Sequence, residues 1–280
     1  MDNRPIGVFD SGLGGLTFVK EIKKLMPKES IIYFGDTSRV PYGTRSKETV
    51  LKYAIQDINL LLTYNIKAIV VACGTVSAVA LDILKDKIDI PIIGVVLPAA
   101  LRATNASKSK RIGVFGTAAT IKSNAYKNAL LKYDKDILAF SLACPMFVPL
   151  VENGYFKKGN DVATIIAKEY LAPLLDANVD TIILGCTHYP LLTDIITDNI
   201  PSNIRLIDAG KSAAIMLTDY LLQNELQAKD KEYTDKFLVS DSLENFSNLA
   251  EIFLGISIKE NIELIDINSY DTILRKVEKK

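Results

Sequence analysis

Short runs of aliphatic and β-branched residues alternate along this chain with longer stretches in which apolar positions recur at helical spacing beneath a polar face. The runs are IGVFD (6–10), IIYFGD (31–36), AIVVAC (68–73), PIIGVV (91–96), IGVFG (112–116), TIILGC (181–186) and IRLIDA (204–209), and each predicts a strand. Strands that are apolar throughout are covered on both faces. The pattern therefore predicts α/β architecture with mostly parallel sheets, which take their ligands at the carboxyl ends of the strands. Downstream, AGKSAAIMLTDYLLQNEL predicts a helix and KFLVSD a strand. SLENFSNLAEIFLG then reads as a helix closed by Gly255, and ENIELIDI as a last strand.

The pattern also repeats. RPIGVFDSGLGG at Arg4–Gly15 is echoed by KRIGVFGTAATI at Lys110–Ile121, and IKAIVVACGTVSA by VDTIILGCTHYPL, which sets Cys73 against Cys186. Two collinear echoes at nearly equal offsets predict two similar, pseudo-symmetric α/β domains with the active site in the cleft between them. Residues 96–209 form the second, and 1–95 with 210–280 the first, the tail returning to complete it. The polar stretch at 223–235 reads as a surface linker.

Composition narrows the function classes. At 280 residues, 49% hydrophobic and 24% charged, the chain is an ordinary folded globule able to bury a sizeable core. Lys plus Arg and Asp plus Glu both total 33, so no bulk field draws it to nucleic acid or to an anionic membrane. The longest apolar runs, around Ile66–Cys73 and Ile90–Val96, fall far short of the ~18–20 residues that span a bilayer. The opening MDNRPIGVFD has no basic-then-apolar leader, and three cysteines, an odd number, suit free thiols in a reducing compartment. A cytoplasmic location is expected.

Cys73 and Cys186 carry the main chemical signal. A cysteine at a strand's carboxyl end and just before a helix meets unpaired N–H groups and a positive dipole end, which favour the thiolate. Matched halves would set two such thiols facing each other. His188, the only histidine, lies two residues past Cys186 and can tune or relay its proton. Cys144 has no mirror partner and reads as packing; Glu152, taken alone, reads as a solvated charge. Asp10 and Ser11 precede GLGG, a turn whose amides can approach a compact anion such as a carboxylate but which matches no nucleotide-binding motif. The run GDTSRVPYGTRS (35–46) puts Tyr42 and Gly43 in a loop after a strand, where functional groups tend to lie.

Taken together, GVFDSGLGGLT (7–17), DTSRVPYG (36–43), ACGTVSA (72–78), CPMFVPLVENG (144–154), GCTHYPLL (185–192) and VSD (239–241) make the chain resemble the glutamate racemase family over most of its length. The resemblance implies a cofactor-independent enzyme that supplies D-glutamate for bacterial peptidoglycan, with no bound metal, and a homodimer. It implies that Cys73 and Cys186 are the catalytic bases, assisted by Asp10, Glu152 and His188. Asp10, Ser11, Tyr42, Gly43, Gly74, Thr75, Thr187 and His188 would line the substrate pocket, with Thr117 and Thr120 on the mirror loop. In one position the chain departs: the family commonly has Asn after the first cysteine, where this sequence has Gly74, so only backbone contacts carry over there.

First principles point the same way. Inverting a stereocentre by proton exchange needs a base on one face of the carbon and an acid on the other, and two thiols supply both. Lowering a thiol from its ordinary ~8.5 to near 7 takes ~2 kcal/mol. Three alternatives stand beside this reading: an aspartate or other amino-acid racemase of the same superfamily, a metal-dependent hydrolase using Cys73, Cys186, His188 and Asp10 as ligands, and a non-catalytic amino-acid-binding protein.

Overall fold

The structure is a computed structural model that describes residues 1–270. In chain order its elements are β1 (Ile6–Asp10), α1 (Leu16–Leu25), β2 (Ile31–Gly35), α2 (Lys47–Leu62), β3 (Ala68–Val71), α3 (Gly74–Val79), α4 (Leu81–Lys85), β4 (Ile92–Gly94) and α5 (Val96–Ala106). There follow β5 (Arg111–Gly116), α6 (Ala118–Lys122), α7 (Ala125–Tyr133), β6 (Leu138–Ala143), α8 (Phe147–Glu152), α9 (Asp161–Asp176), β7 (Thr181–Leu184), α10 (Thr193–Thr197) and β8 (Arg205–Asp208). Last come α11 (Ala209–Gln223), β9 (Lys236–Val239), α12 (Leu243–Leu254) and β10 (Ile262–Leu264).

The strands form two parallel sheets, one ordered β10-β9-β2-β1-β3-β4 and the other β6-β5-β7-β8. The order β2-β1-β3-β4 is that of β6-β5-β7-β8, so the repeated sequence is a repeated topology. Its register matches too. Ala72 N–H donates to Phe9 O just past the β1–β3 ladder, and Gly185 N–H donates to Phe115 O just past the β5–β7 ladder, both at 2.9 Å. Cys73 and Cys186 are each the next residue. β9 adds to β2 and β10 to β9, so the C-terminal segment returns to the first sheet after the second is complete. The expected tail of the first lobe, 210–280, ends in residues 271–280, which lie outside the described residues.

Continuous burial explains the strand choice. Every residue of β1, β2, β3 and β7 is buried, because helices cover both faces. α1 packs against α11, and α5 against both α7 and α11, so these helices fill the space between the sheets with Leu16, Phe18, Val19, Ile22, Ala99, Ala103, Ala213 and Leu217. Two details depart from the pattern. The run 91–96 is a strand only over Ile92–Gly94, because Val96 already opens α5. β6, which no apolar run announces, is an edge strand whose residues are all at least partly exposed, and Leu138 is 52% exposed. Gly255 closes α12 in the left-handed region, at φ 77, as the sequence predicts.

Candidate functional site

The carboxyl ends of both sheets meet along one seam. On the first sheet, Cys73 caps the amino end of α3 with an extended backbone, and its thiol donates to Ser11 Oγ at 3.6 Å. On the second, Cys186 is followed by a 3-10 turn at Tyr189–Leu192 rather than by an α-helix. The two cysteines are 4% and 7% exposed, so both thiols are shielded from solvent. The seam brings them close: a Cβ built on Gly74 would stand 3.6 Å from the Cα of Cys186.

Charge is distributed unequally about the two sulfurs. His188 Nδ1 lies 3.9 Å from Cys186 Sγ, and Nε2 lies 3.0 Å from Glu152 Oε1 at the end of α8. Burial alone would lower the imidazole, but the hydrogen bond to Cys186 and then the one to Glu152 outweigh it and push His188 up to about 10. The ring is thus cationic at neutral pH and stabilises negative charge beside Cys186. Edge contact with Phe253 of α12, ring centroids 5.9 Å apart, closes its other flank.

Cys73 has the opposite setting. Burial, and then the carboxylate of Asp10, push its thiol up to about 12 against the opposing N–H of Val76 and hydroxyl of Ser11. The expectation that a helix terminus would hold this cysteine as a thiolate therefore fails at this buried position: desolvation of the anion outweighs a dipole from a helix of only six residues. Asp10 is itself fully buried. Burial raises its carboxyl, while charged His188 and the N–H groups of Gly15, Gly12 and Ser11 oppose the rise. Its Oδ2 accepts from Gly12 N at 3.2 Å, and Thr187 Oγ1 lies 3.5 Å from Oδ1.

Hydroxyls stitch the seam between the sheets. Thr75 Oγ1 lies 3.0 Å from Thr117 Oγ1, which is 2.9 Å from Thr120 Oγ1. Thr117 also caps α6. Thr17 Oγ1 donates to Thr187 O at 3.2 Å, a cross-seam contact that sequence reasoning missed, because a threonine inside a helical pattern gives no sign of a partner 170 residues away. Gly14 faces the same region so closely that a Cβ there would stand 2.1 Å from Thr187 Oγ1.

The loop after β2 is held from within the first sheet's own core. Tyr42 is buried there, and its hydroxyl donates to Asp36 and, at 3.2 Å, to Asp57 Oδ2. The side chain is thereby committed away from the seam, and the loop meets the second sheet through the backbone of Gly43 against Thr117. Arg39 bridges Asp36 at 2.5 Å and Asp57 at 3.0 Å and stacks 4.1 Å above the ring of Tyr53. Burial and then the neighbouring Asp36 hold the Asp57 carboxyl well above the usual range. Ser240, in the VSD segment, donates to Asp36 Oδ1 at 2.8 Å, tying the returning tail to this loop. Cys144 is buried, its thiol donating to Leu142 O at 3.7 Å while its carbonyl accepts from Tyr189, the packing role the sequence predicts.

Two grooves reach the seam from opposite sides. One, of about 740 Å³, runs past Gly43, Thr44, Arg45, Ala118 and Lys122; the other, of about 320 Å³, past Gly12, Val40, Glu152 and Phe246. Neither is lined by Cys73 or Cys186. Both thiols are buried beneath the seam.

Comparison with known proteins is consistent along the chain. Residues 6–217 match the family model described as Asp/Glu/Hydantoin racemase. The glutamate racemase of a Sulfurihydrogenibium species is 45% identical over 266 residues, covering 95% of this chain and 99% of that one. That of Geobacter metallireducens is 44% identical over 253 residues, covering 90% and 93%. Among solved structures, the glutamate racemase of Francisella tularensis in complex with D-glutamate superposes with a TM-score of 0.89 at 39% identity, over 96% of this chain and 100% of that one.

Proposed function

The chain belongs to the Asp/Glu/hydantoin racemase family and is an isomerase, a racemase of glutamate; from that premise we propose that Cys73 and Cys186 are its two bases, acting on opposite faces of the α-carbon without a cofactor. One thiolate takes the α-proton, the bonding pair stays on carbon, and the thiol on the far face delivers a proton to it. The sulfurs have then exchanged protonation states, and the product is the other enantiomer. Their equivalent places, each one residue beyond the same ladder hydrogen bond in matched sheets, are the observation that carries this reading.

The directions follow the family resemblance, and the unequal surroundings of the two sulfurs support them. Cys186, beside cationic His188, takes the proton from L-glutamate while Cys73, which rests as a thiol, donates on the other face. In return, Cys73 takes the proton from D-glutamate, with Asp10 as the assisting group on its side and Glu152 and His188 on the other. N–H groups beside Ser11, Gly43, Thr75 and Thr187, with the side chain of His188, bind the carboxylates and stabilise the carbanion, as preorganised donors do in dry sites, while Asp10, an acceptor, takes the α-ammonium group. Gly74 contributes backbone only, Tyr42 acts through the loop it anchors, and Thr117 and Thr120 through the seam they close. The two-lobed division with residues 96–209 as the second lobe rests on the internal echo, and a cytoplasmic location on the opening sequence, the short apolar runs and the free cysteines; a homodimer and the supply of D-glutamate for peptidoglycan rest on the resemblance. The described residues include no helix long and apolar enough to cross a membrane.

Circular dichroism of L- or D-glutamate incubated with dialysed protein and no added cofactor should decay to zero, with solvent deuterium entering the α-position of the product. Aspartate run alongside should turn over far more slowly. Serine at either cysteine should reduce turnover by several orders of magnitude. If Cys186→Ser racemises at the normal rate, the assignment of the bases is wrong.

A further inference from the structure

The turn that carries Cys186 and His188 has a gap in its hydrogen bonding that the sequence itself creates. Cys186 O accepts from Tyr189 N at 3.1 Å and His188 O from Leu191 N at 3.2 Å, each from three residues on. Thr187 O would take its partner from position 190, but that residue is Pro190, which has no N–H. The opposite side of the seam supplies a donor instead. Thr17, buried in the first turn of α1, reaches Thr187 O with its hydroxyl at 3.2 Å. A threonine in a helix ordinarily bonds back along its own helix, and Thr17 Oγ1 does lie 2.8 Å from Gly14 O. That carbonyl already accepts from Thr17 N at 3.0 Å, whereas Thr187 O has no backbone donor among the described residues. Thr187 is held at its other end too, since its hydroxyl lies 3.5 Å from Asp10 Oδ1.

We propose that Thr17 is a positioning residue: its hydroxyl fixes the peptide that joins Thr187 to His188, and so keeps the imidazole aimed at Cys186. This rests on the two-thiol reading above. The carbonyl of Thr187 and the N–H of His188 share one rigid plane, so a plane left free to turn carries the His188 Cα with it. Nδ1, at 3.9 Å from Cys186 Sγ, has little distance to lose before that contact is broken. Cys73 has no such dependence, because Ser11 and Asp10 beside it precede α1 and keep their own bonds, to Cys73 Sγ and to Gly12 N. Losing the Thr17 hydroxyl therefore raises one of the two barriers, proton transfer at Cys186, and leaves the transfer at Cys73 as it was.

The test is Thr17→Val, which removes the hydroxyl and keeps the branched shape. Racemisation crosses both barriers in either direction and its equilibrium constant is one, so kcat/KM falls equally for the two enantiomers, here by several-fold. The primary deuterium isotope effect on kcat/KM tells the barriers apart. With α-deuterated L-glutamate it should rise above that of the unsubstituted enzyme, since proton removal at Cys186 now limits the rate. With α-deuterated D-glutamate it should fall, since removal at Cys73 limits less. Thr17→Ser keeps the donor and should return both isotope effects to the unsubstituted values. If near-ultraviolet circular dichroism shows that Thr17→Val does not fold, Thr17→Ala takes its place with the same expectation. Isotope effects that stay unchanged, that move in the same direction for both enantiomers or the reverse way, or that shift as much in Thr17→Ser as in Thr17→Val, overturn the proposal. Cys186→Ala, which keeps Cys73, is run in parallel in deuterium oxide and should label D-glutamate alone while racemising neither enantiomer. If it labels L-glutamate or still racemises, the two-thiol reading is at fault rather than the place of Thr17 in it.

Discussion

The only histidine in the chain makes the charge at the site directly observable. His188 is held cationic to about 10 by Cys186 and by Glu152, whose Oε1 lies 3.0 Å from Nε2. Glu152→Gln keeps an acceptor there and removes its charge. A hydrogen bond to a charged partner contributes about 1.5–3 kcal/mol, and a neutral one about 0.5–1.5. The change is therefore about 1–1.5 kcal/mol, or about one pH unit at 1.36 kcal/mol per unit. The Glu152 side chain is 34% exposed, so solvent screening places the effect at the low end of that range. Glu152→Leu removes the acceptor as well, and burial, which alone lowers the ring, is then opposed by Cys186 alone; a drop of about two units is expected. The assay is a pH titration of the single imidazole Cε1–H signal by 1H–13C NMR on histidine-labelled protein. Because the cation is lost as pH rises through the midpoint, the alkaline limb of L-glutamate turnover should move down by the same interval. A midpoint unmoved in both variants would refute the account of the Glu152–His188–Cys186 relay.

Two further outcomes concern stability. Arg39→Met takes their shared cation from Asp36 and Asp57, both fully buried; breaking a buried pair costs about 3–5 kcal/mol, and because the Asp57 carboxyl, already held well above the usual range, answers by taking up a proton, the low end is expected, to be read as a loss in guanidinium unfolding free energy, and a loss below about 1 kcal/mol would contradict the role given to Arg39. His188 has its folded value raised from the ordinary 6.5 to about 10, so the stability it adds is fully present below the lower value and vanishes as pH climbs through the upper one; the gap in unfolding free energy between the unsubstituted protein and His188→Gln should be widest near pH 6 and close by pH 10. A gap that widens with pH would reverse the sign of the argument.

The strands that carry chemistry were legible because each is buried on both faces and so writes an unbroken apolar run; the echo between Cys73 and Cys186 was legible because both terminate such runs in equivalent sheets. β6 was not, since an edge strand with exposed positions leaves no run to read. Local sequence also gave the wrong sign for Cys73. A strand end before a helix promises an anion-friendly terminus, but whether the dipole or desolvation wins depends on how completely the opposite lobe covers the thiol, and no local window contains that information. The network of Arg39, Asp57 and Ser240 escaped for a related reason: the DTSRVPYG loop reads as a functional segment, yet its partners come from α2 and from the tail some 200 residues later. Likewise Glu152, alone a solvated charge, gains its role only where α8 meets His188.

The return of β9 to the edge of β2 has a consequence for biogenesis. A ribosome emits the strands of the second sheet, residues 111–208, as one uninterrupted block, whereas the first sheet waits for residues 236–264 before its outer edge is filled. During synthesis the block should fold while β2 still offers an open row of amides and carbonyls, the kind of edge on which nascent chains aggregate. Truncations that stop short of Lys236 should accordingly yield insoluble protein in spite of an intact Cys73 and Cys186, and the last strands act as a seal on the nascent enzyme rather than as an appendage to it.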